Sequence, residues 1–254
     1  MLFQASLDFV TSILLIATRL APIFFALPLQ AVTSLPLRVR FFLVMAFSVV
    51  LVTLLPDTGL NIGSSYELVI ALLKEFSVGL ALSAAIMAAF SAFSVAGRLI
   101  DFQMGLGAAT LFNPLSNSQN SLIGTLLTLM GTLIFFLVDG HLALIRGIKQ
   151  TFVLVPIGGG LKTIGFLEAF LAAGKMFLYG ATLAAPVILG LFLIDFVIAV
   201  FARTMPQLNP YFVGLPFKIF MGLMLLTLSL NYFSNPIRAI FESIFGNWTK
   251  VLVA

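Results

Sequence analysis

Six charged side chains stand where an apolar sequence has little room for them. Arg19, Lys74, Glu75, Asp139, Asp195 and Lys218 fall within or at the edges of long apolar runs, and an unpaired charge at bilayer depth costs at least about 2.5–3.5 kcal/mol. Three are basic and three acidic, so mutual neutralisation is possible; ionisable groups at such depth also mark ion or proton pathways. Lys74 and Glu75 are adjacent, and adjacent residues of a helix do not face each other, so each must look to a different helix or chain. The charges are dispersed, and no segment carries an acidic pair facing a polar stripe. That favours structural pairing inside a protein assembly over a pathway.

Other chemistries find less support. His141, in VDGHLAL, is the one histidine, and a lone histidine offers no ligand spacing for a metal; a hydrogen bond, or a contact with Asp139, is the expected role. Ser83, Ser91 and Ser94 have no GxSxG elbow nearby, and Asp139 and Asp195 sit on separate segments. There is no cysteine, hence no disulfide or thiolate site, and no GxxxxGK[ST] phosphate loop. No enzyme, cofactor or metal is expected.

The elements that must position these groups are apolar helices. Of 254 residues, 61% are hydrophobic and 9% charged, against about 25% charged in soluble proteins, and the mean hydropathy is +1.18. Spanning a bilayer takes roughly 20 apolar residues, and about six segments approach that length, near 7–28, 41–56, 68–96, 122–146, 176–202 and 212–233. The fold class is all-α and membrane-associated. The first segment is read as a mature helix and not a secretory signal, because nothing basic precedes it and Arg19 interrupts its run. The 13 basic residues are scattered, which leaves no footprint for nucleic acid. Their weak bias between alternate loops, with one Trp (Trp248) and four Tyr to form interfacial belts, points to surfaces covered by other protein.

Local patterns refine the picture. Ala81, Ala85 and Ala89 form one row at spacing four, and Ala84, Ala88 and Ala92 an adjacent one; small residues so spaced let helices approach closely, and two rows imply more than one close partner. Pro28 and Pro36 bracket a turn, and residues 57–66 read as another. Pro156 with Gly158–Gly160 makes a third, before an amphipathic or interfacial helix over 162–175. Pro186 predicts a kink. The tail after Tyr232 reads as a short helix leaving the apolar layer.

Between the third and fourth segments lies DFQMGLGAATLFNPLSNSQNS, residues 101–121, with one charge, Asp101. Irregular backbone in an apolar setting is tolerated where it is buried in protein or lines a wet cavity. A solvent-exposed connector turning at Asn113 and Pro114 is the other reading, and Leu111, Phe112 and Leu115 at its centre favour the first.

At several points the chain resembles the FliR/SctT family of type III secretion export-gate membrane subunits. The matching features are Arg19 with Pro22; LPLRVR with Pro36, Arg38 and Arg40; Glu75 with Gly79; GRLIDFQMGLG with Gly97, Asp101, Gln103, Gly105 and Gly107; GHLALIRG; Phe152 and Pro156; Ala185–Pro186; and ARTMPQLNPYFVGLPFK from Ala202 to Lys218. The chain departs from the family at Asn113, where an aspartate often precedes the proline, and at Leu142, where a second histidine is common.

The resemblance implies a subunit of a hetero-oligomeric helical assembly with FliP-like and FliQ-like subunits, contacting an FlhB-like subunit, in the inner membrane at the flagellar basal body. Its helices would form hairpins, with residues 1–175 a FliP-like part and 176–254 a FliQ-like hairpin, packed largely at periplasmic level. Unfolded export substrates would pass through the assembly. The loop would plug the closed pore, through Gly105, Gly107, Leu111, Phe112, Asn113, Pro114, Leu115 and Asn117, with the glycines at its stem as hinges. From the residues themselves, Arg203, Pro206, Gln207, Asn209, Gly214 and Pro216 either shape the turn into the last long helix for function or are ordinary helix-end chemistry, two readings of equal weight. The rival reading is a secondary transporter moving a small solute or ion by paired intramembrane charges, for which inverted repeats with broken helices would be expected; Pro186 has no counterpart in the third segment.

Overall fold

Long apolar runs fold into long helices, some of them through an internal proline, as at Pro22 and Pro186, and local capping sets where several of them stop. The computed structural model describes residues 2–28, 34–55, 64–106, 121–160, 163–204 and 210–253. Among these, the elements are α1 (Leu2–Ala26), α2 (Leu37–Leu54), α3 (Ser65–Met104), α4 (Leu122–Leu137), α5 (Gly140–Leu154), α6 (Thr163–Thr204), α7 (Pro210–Leu228) and α8 (Leu230–Val253). The turn expected over 57–66 lies for the most part outside the described residues, as do Lys162, Pro206, Gln207 and Asn209.

Helix α3 starts on a capping sequence, Ser64 followed by Glu67 at the third position: the Glu67 backbone N–H donates to Ser64 Oγ at 3.3 Å. It ends on Gly105, at φ 79°, where the Gly105 N–H donates to Phe102 O and the Leu106 N–H to Asp101 O. That pair of bonds, with a left-handed glycine, satisfies carbonyls that the end of a helix leaves open. Helix α4 starts on Ser121, whose Oγ accepts from the Gly124 N–H at 2.7 Å.

Three sequence expectations change. The fourth apolar segment is two helices, bent by 73° at Val138–Asp139, because Asp139 takes a left-handed backbone (φ 55°) and its carbonyl accepts from the N–H groups of Leu142 and Ala143 at the start of α5. The helix expected over 162–175 and the fifth segment are one helix of 42 residues running through Pro186. The tail is a 24-residue helix, not a short one; Trp248, counted with the interfacial aromatics, lies inside it at 3% exposure. Among the described residues, four helices are long and apolar enough to cross a membrane, or up to six spans if each bent pair is one.

The chain forms two compact units that interleave along the sequence, residues 1–89, 134–174 and 241–254 in one and 90–133 with 175–240 in the other. In the first, Ala81 of α3, Ala169 of α6 and Val251 of α8 share a buried cluster, and the Trp248 Nε1–H donates to Leu82 O at 2.9 Å. A Cβ on Gly147 of α5 would come within 2.9 Å of the Trp248 ring. In the second, a Cβ on Gly180 of α6 would meet Val95 Cγ1 at 2.8 Å and Ala92 O at 3.0 Å, and one on Gly97 would overlap Gly124 Cα. Ala81, Ala85, Ala88, Ala89 and Ala92 are buried, and Ala84 partly so: the absence of bulk along α3 is what lets its neighbours come close.

Candidate functional site

Of the six charges singled out, four form two pairs, one in each unit. Arg19 of α1 and Glu75 of α3 meet side on, Arg19 Nη2 donating to Glu75 Oε1 at 3.0 Å and Nε to Oε2 at 2.5 Å; both side chains have 0% exposure. Arg19 Nη1 donates to two carbonyls at the end of α5, Thr151 O at 3.2 Å and Val155 O at 3.0 Å, and the guanidinium lies 4.1 Å from the centroid of the Phe152 ring. Glu75 Oε1 also accepts from the Gly158 N–H at 2.7 Å. A two-pronged contact with every partner supplied by protein is the geometry in which a buried ion pair is tolerated. Gly79, one turn beyond Glu75, has no room for a side chain because its Cβ would overlap Arg19 O.

In the second unit Lys218 Nζ of α7 lies 2.7 Å from Asp195 Oδ1 of α6, and the side chains are 17% and 38% exposed. Asp195 Oδ2 accepts from Lys218 Nζ and from Gln103 Nε2 of α3, each at 2.9 Å. Lys74 and Asp139, expected to join the buried charges, are exposed. Among the described residues neither has an ion pair. Adjacency explains the difference between Lys74 and Glu75: one step along a helix turns the side chain away from its neighbour's direction, so Glu75 enters the interior while Lys74 lies outside, its methylenes over Gly160, where an added Cβ would meet Lys74 Cγ at 3.0 Å. His141 makes a ring contact with Phe136, centroids 5.4 Å apart. His141 Nδ1 is buried without a hydrogen-bond partner among the described residues.

Of the loop residues, Gly105 is described and ends α3; Gly107, Leu111, Phe112, Asn113, Pro114, Leu115 and Asn117 lie outside the described residues. The residues flanking the loop do more than the sequence reading gave them. Asp101, nearly buried, accepts the Ile123 N–H on Oδ1 at 3.2 Å. Gln103 reaches Asp195, Met104 fills the space above Gly222 of α7, and a Cβ on Gly105 would meet Leu215 of the same helix. The last turn of α3 is thus gripped by α4, α6 and α7. The readable signal was a carboxylate one turn before a glycine helix end, with a serine cap opening the next apolar run.

Comparison with known sequences decides what kind of molecule carries these features. Residues 10–244 match the family described as "Bacterial export proteins, family 1". The chain belongs to that family. Its relatives include the "Flagellar biosynthetic protein FliR" of Bacillus subtilis (strain 168), 31% identical over 245 residues, covering 93% of this chain and 92% of that protein. The protein of the same name from Aquifex aeolicus (strain VF5) is 30% identical, covering 94% and 92%. The "Yop proteins translocation protein T" of Yersinia pestis is 29% identical, covering 65% and 64%. Membership in the export family accounts for the breadth of the resemblance, which runs from Arg19 through Lys218 and takes in the Arg19–Glu75 pair.

Proposed function

We propose that this protein supplies part of a channel for unfolded polypeptides within the flagellar type III export apparatus, of which it is a component, and that its central segment obstructs the channel at rest. In this reading it is a non-enzymatic membrane subunit held among FliP-like, FliQ-like and FlhB-like partners in the inner membrane, at the flagellar basal body. The observation that carries the assembly role, beside family membership, is the length of exposed apolar surface on α6. Leu167, Phe170, Phe177, Leu189, Phe192, Phe196 and Phe201 are all exposed and stretch over about 50 Å at 1.5 Å per residue. A hydrocarbon core is about 30 Å thick, and even a helix tilted by about 40° would outrun it. A surface that outruns the lipid core supports a place among other proteins.

The transporter reading has less to stand on. Arg19 and Glu75 have no solvent exposure and are satisfied by protein groups, so a relay through them has no water to exchange protons with.

Two measurements test the proposal. Co-expression and purification should recover the chain with different small helical subunits, and a well-behaved carrier purified alone would overturn the assembly role. Deleting about ten residues around Phe112 should raise ion leak through the assembled complex, and an unchanged leak would end the plug role.

A further inference from the structure

The residues on either side of the central segment are held by one residue, through its backbone on one side and its side chain on the other. The carbonyl of Asp101 accepts the Leu106 N–H at 3.0 Å, which closes the end of α3, and its carboxylate Oδ1 accepts the Ile123 N–H at 3.2 Å, at the start of α4. Ser121 Oγ takes the Gly124 N–H beside it. A helix start leaves its first N–H groups without intrahelical acceptors, and here two of them are taken, one by the local serine and one by a carboxylate from another helix. The negative charge also faces the positive end of the α4 dipole. The backbones touch just below, since Gly97 and Gly124 leave no room for a Cβ between them. On its other sides the same turn of α3 is fixed through Gln103 to Asp195 and through Met104 against Gly222.

We propose that Asp101 is the positioning residue of the central segment: its carboxylate joins the end of α3 to the start of α4 at one point, and this stem stays closed when the channel opens. Gly105 is then a fixed helix cap rather than a hinge. The channel consequence rests on the plug reading; the stem itself does not. Asparagine at position 101 keeps an acceptor oxygen for the Ile123 N–H, whereas alanine leaves that N–H without one.

The test uses the assembled complex with the wild-type chain, Asp101→Ala, Asp101→Asn and the deletion around Phe112. Hydrogen exchange of the amides at the start of α4 should speed up about tenfold or more in Asp101→Ala, the scale of losing one hydrogen bond to a charged group, and by clearly less in Asp101→Asn, which keeps the acceptor and loses only the charge. Ion leak should rise in Asp101→Ala toward the level of the deletion, with Asp101→Asn close to wild type. A merely structural role would lower the yield of complex without raising leak per complex. Unchanged exchange in Asp101→Ala overturns the stem. Unchanged leak in Asp101→Ala, with raised leak in the deletion, overturns the positioning role and leaves the plug standing. Unchanged leak in the deletion ends the plug reading, while exchange still decides the stem. If Asp101→Ala does not assemble, Ser121→Ala reads the same stem from its other foot: exchange at Gly124 should rise about threefold, and no rise counts against the proposal.

Discussion

Arg19 and Glu75 make a two-pronged ion pair that no solvent reaches, and the same two side chains engage Thr151, Val155 and Gly158 of a third stretch of chain. Removing one partner leaves the other charge buried alone, which costs about 3–5 kcal/mol. Glu75→Gln and Arg19→Met should each lower the thermal stability of the purified complex by that order. The double variant should lose clearly less than the sum of the two; strict additivity in a double-mutant cycle would show that the pair is not coupled.

The Asp195–Lys218 pair should behave differently, because it is partly wet. Exposed pairs contribute about 0–1 kcal/mol, and Asp195 is 38% exposed with Gln103 still donating to it. Lys218→Met is expected to cost less than Glu75→Gln in the same melting assay. The reverse order would mean that the second pair is sealed from water in the assembly.

Glycine substitutions separate close helix contacts from idle positions. Gly97→Ala would drive a methyl group into the Gly124 backbone and should destabilise by about 1–3 kcal/mol, as overpacking does. Gly174 lies inside α6 with nothing within 4 Å of an added Cβ, so Gly174→Ala should be neutral or stabilising by up to about 1 kcal/mol. The melting temperature should fall in Gly97→Ala and stay level or rise in Gly174→Ala.

Trp248 provides an optical probe. It is the one tryptophan of the chain, is 3% exposed and donates to Leu82 O. In complexes labelled through this residue, its emission should be blue-shifted and resist aqueous quenchers. Trp248→Phe should cost about 1 kcal/mol for the lost hydrogen bond, somewhat more with the lost ring area; strong quenching of the wild-type protein would contradict its buried place.

Composition and the length of the apolar runs settled that this is an all-helical membrane protein, because 61% hydrophobic residues with 9% charge lie far from a soluble composition and several runs approach the roughly 20 residues of a spanning helix. The two alanine rows marked where α3 packs closely, but its ends were misplaced: the helix runs to Met104 and takes in Asp101–Met104 of the stretch read as irregular, because the capping residues Ser64 and Gly105 carry no hydropathy signal. The sequence also named the charges that needed partners. Which partners they took was decided by the tertiary structure: Glu75 finds Arg19 at a separation of 56 residues, Asp101 finds Ile123, and Lys74 and Asp139 are left outside. The break at Asp139 was equally hidden, because a left-handed residue between two apolar runs has no hydropathy signature. Spacing along one helix tells which side chains share a face, whereas pairing between helices depends on how the chain returns on itself, and that is fixed by the packing of many faces at once.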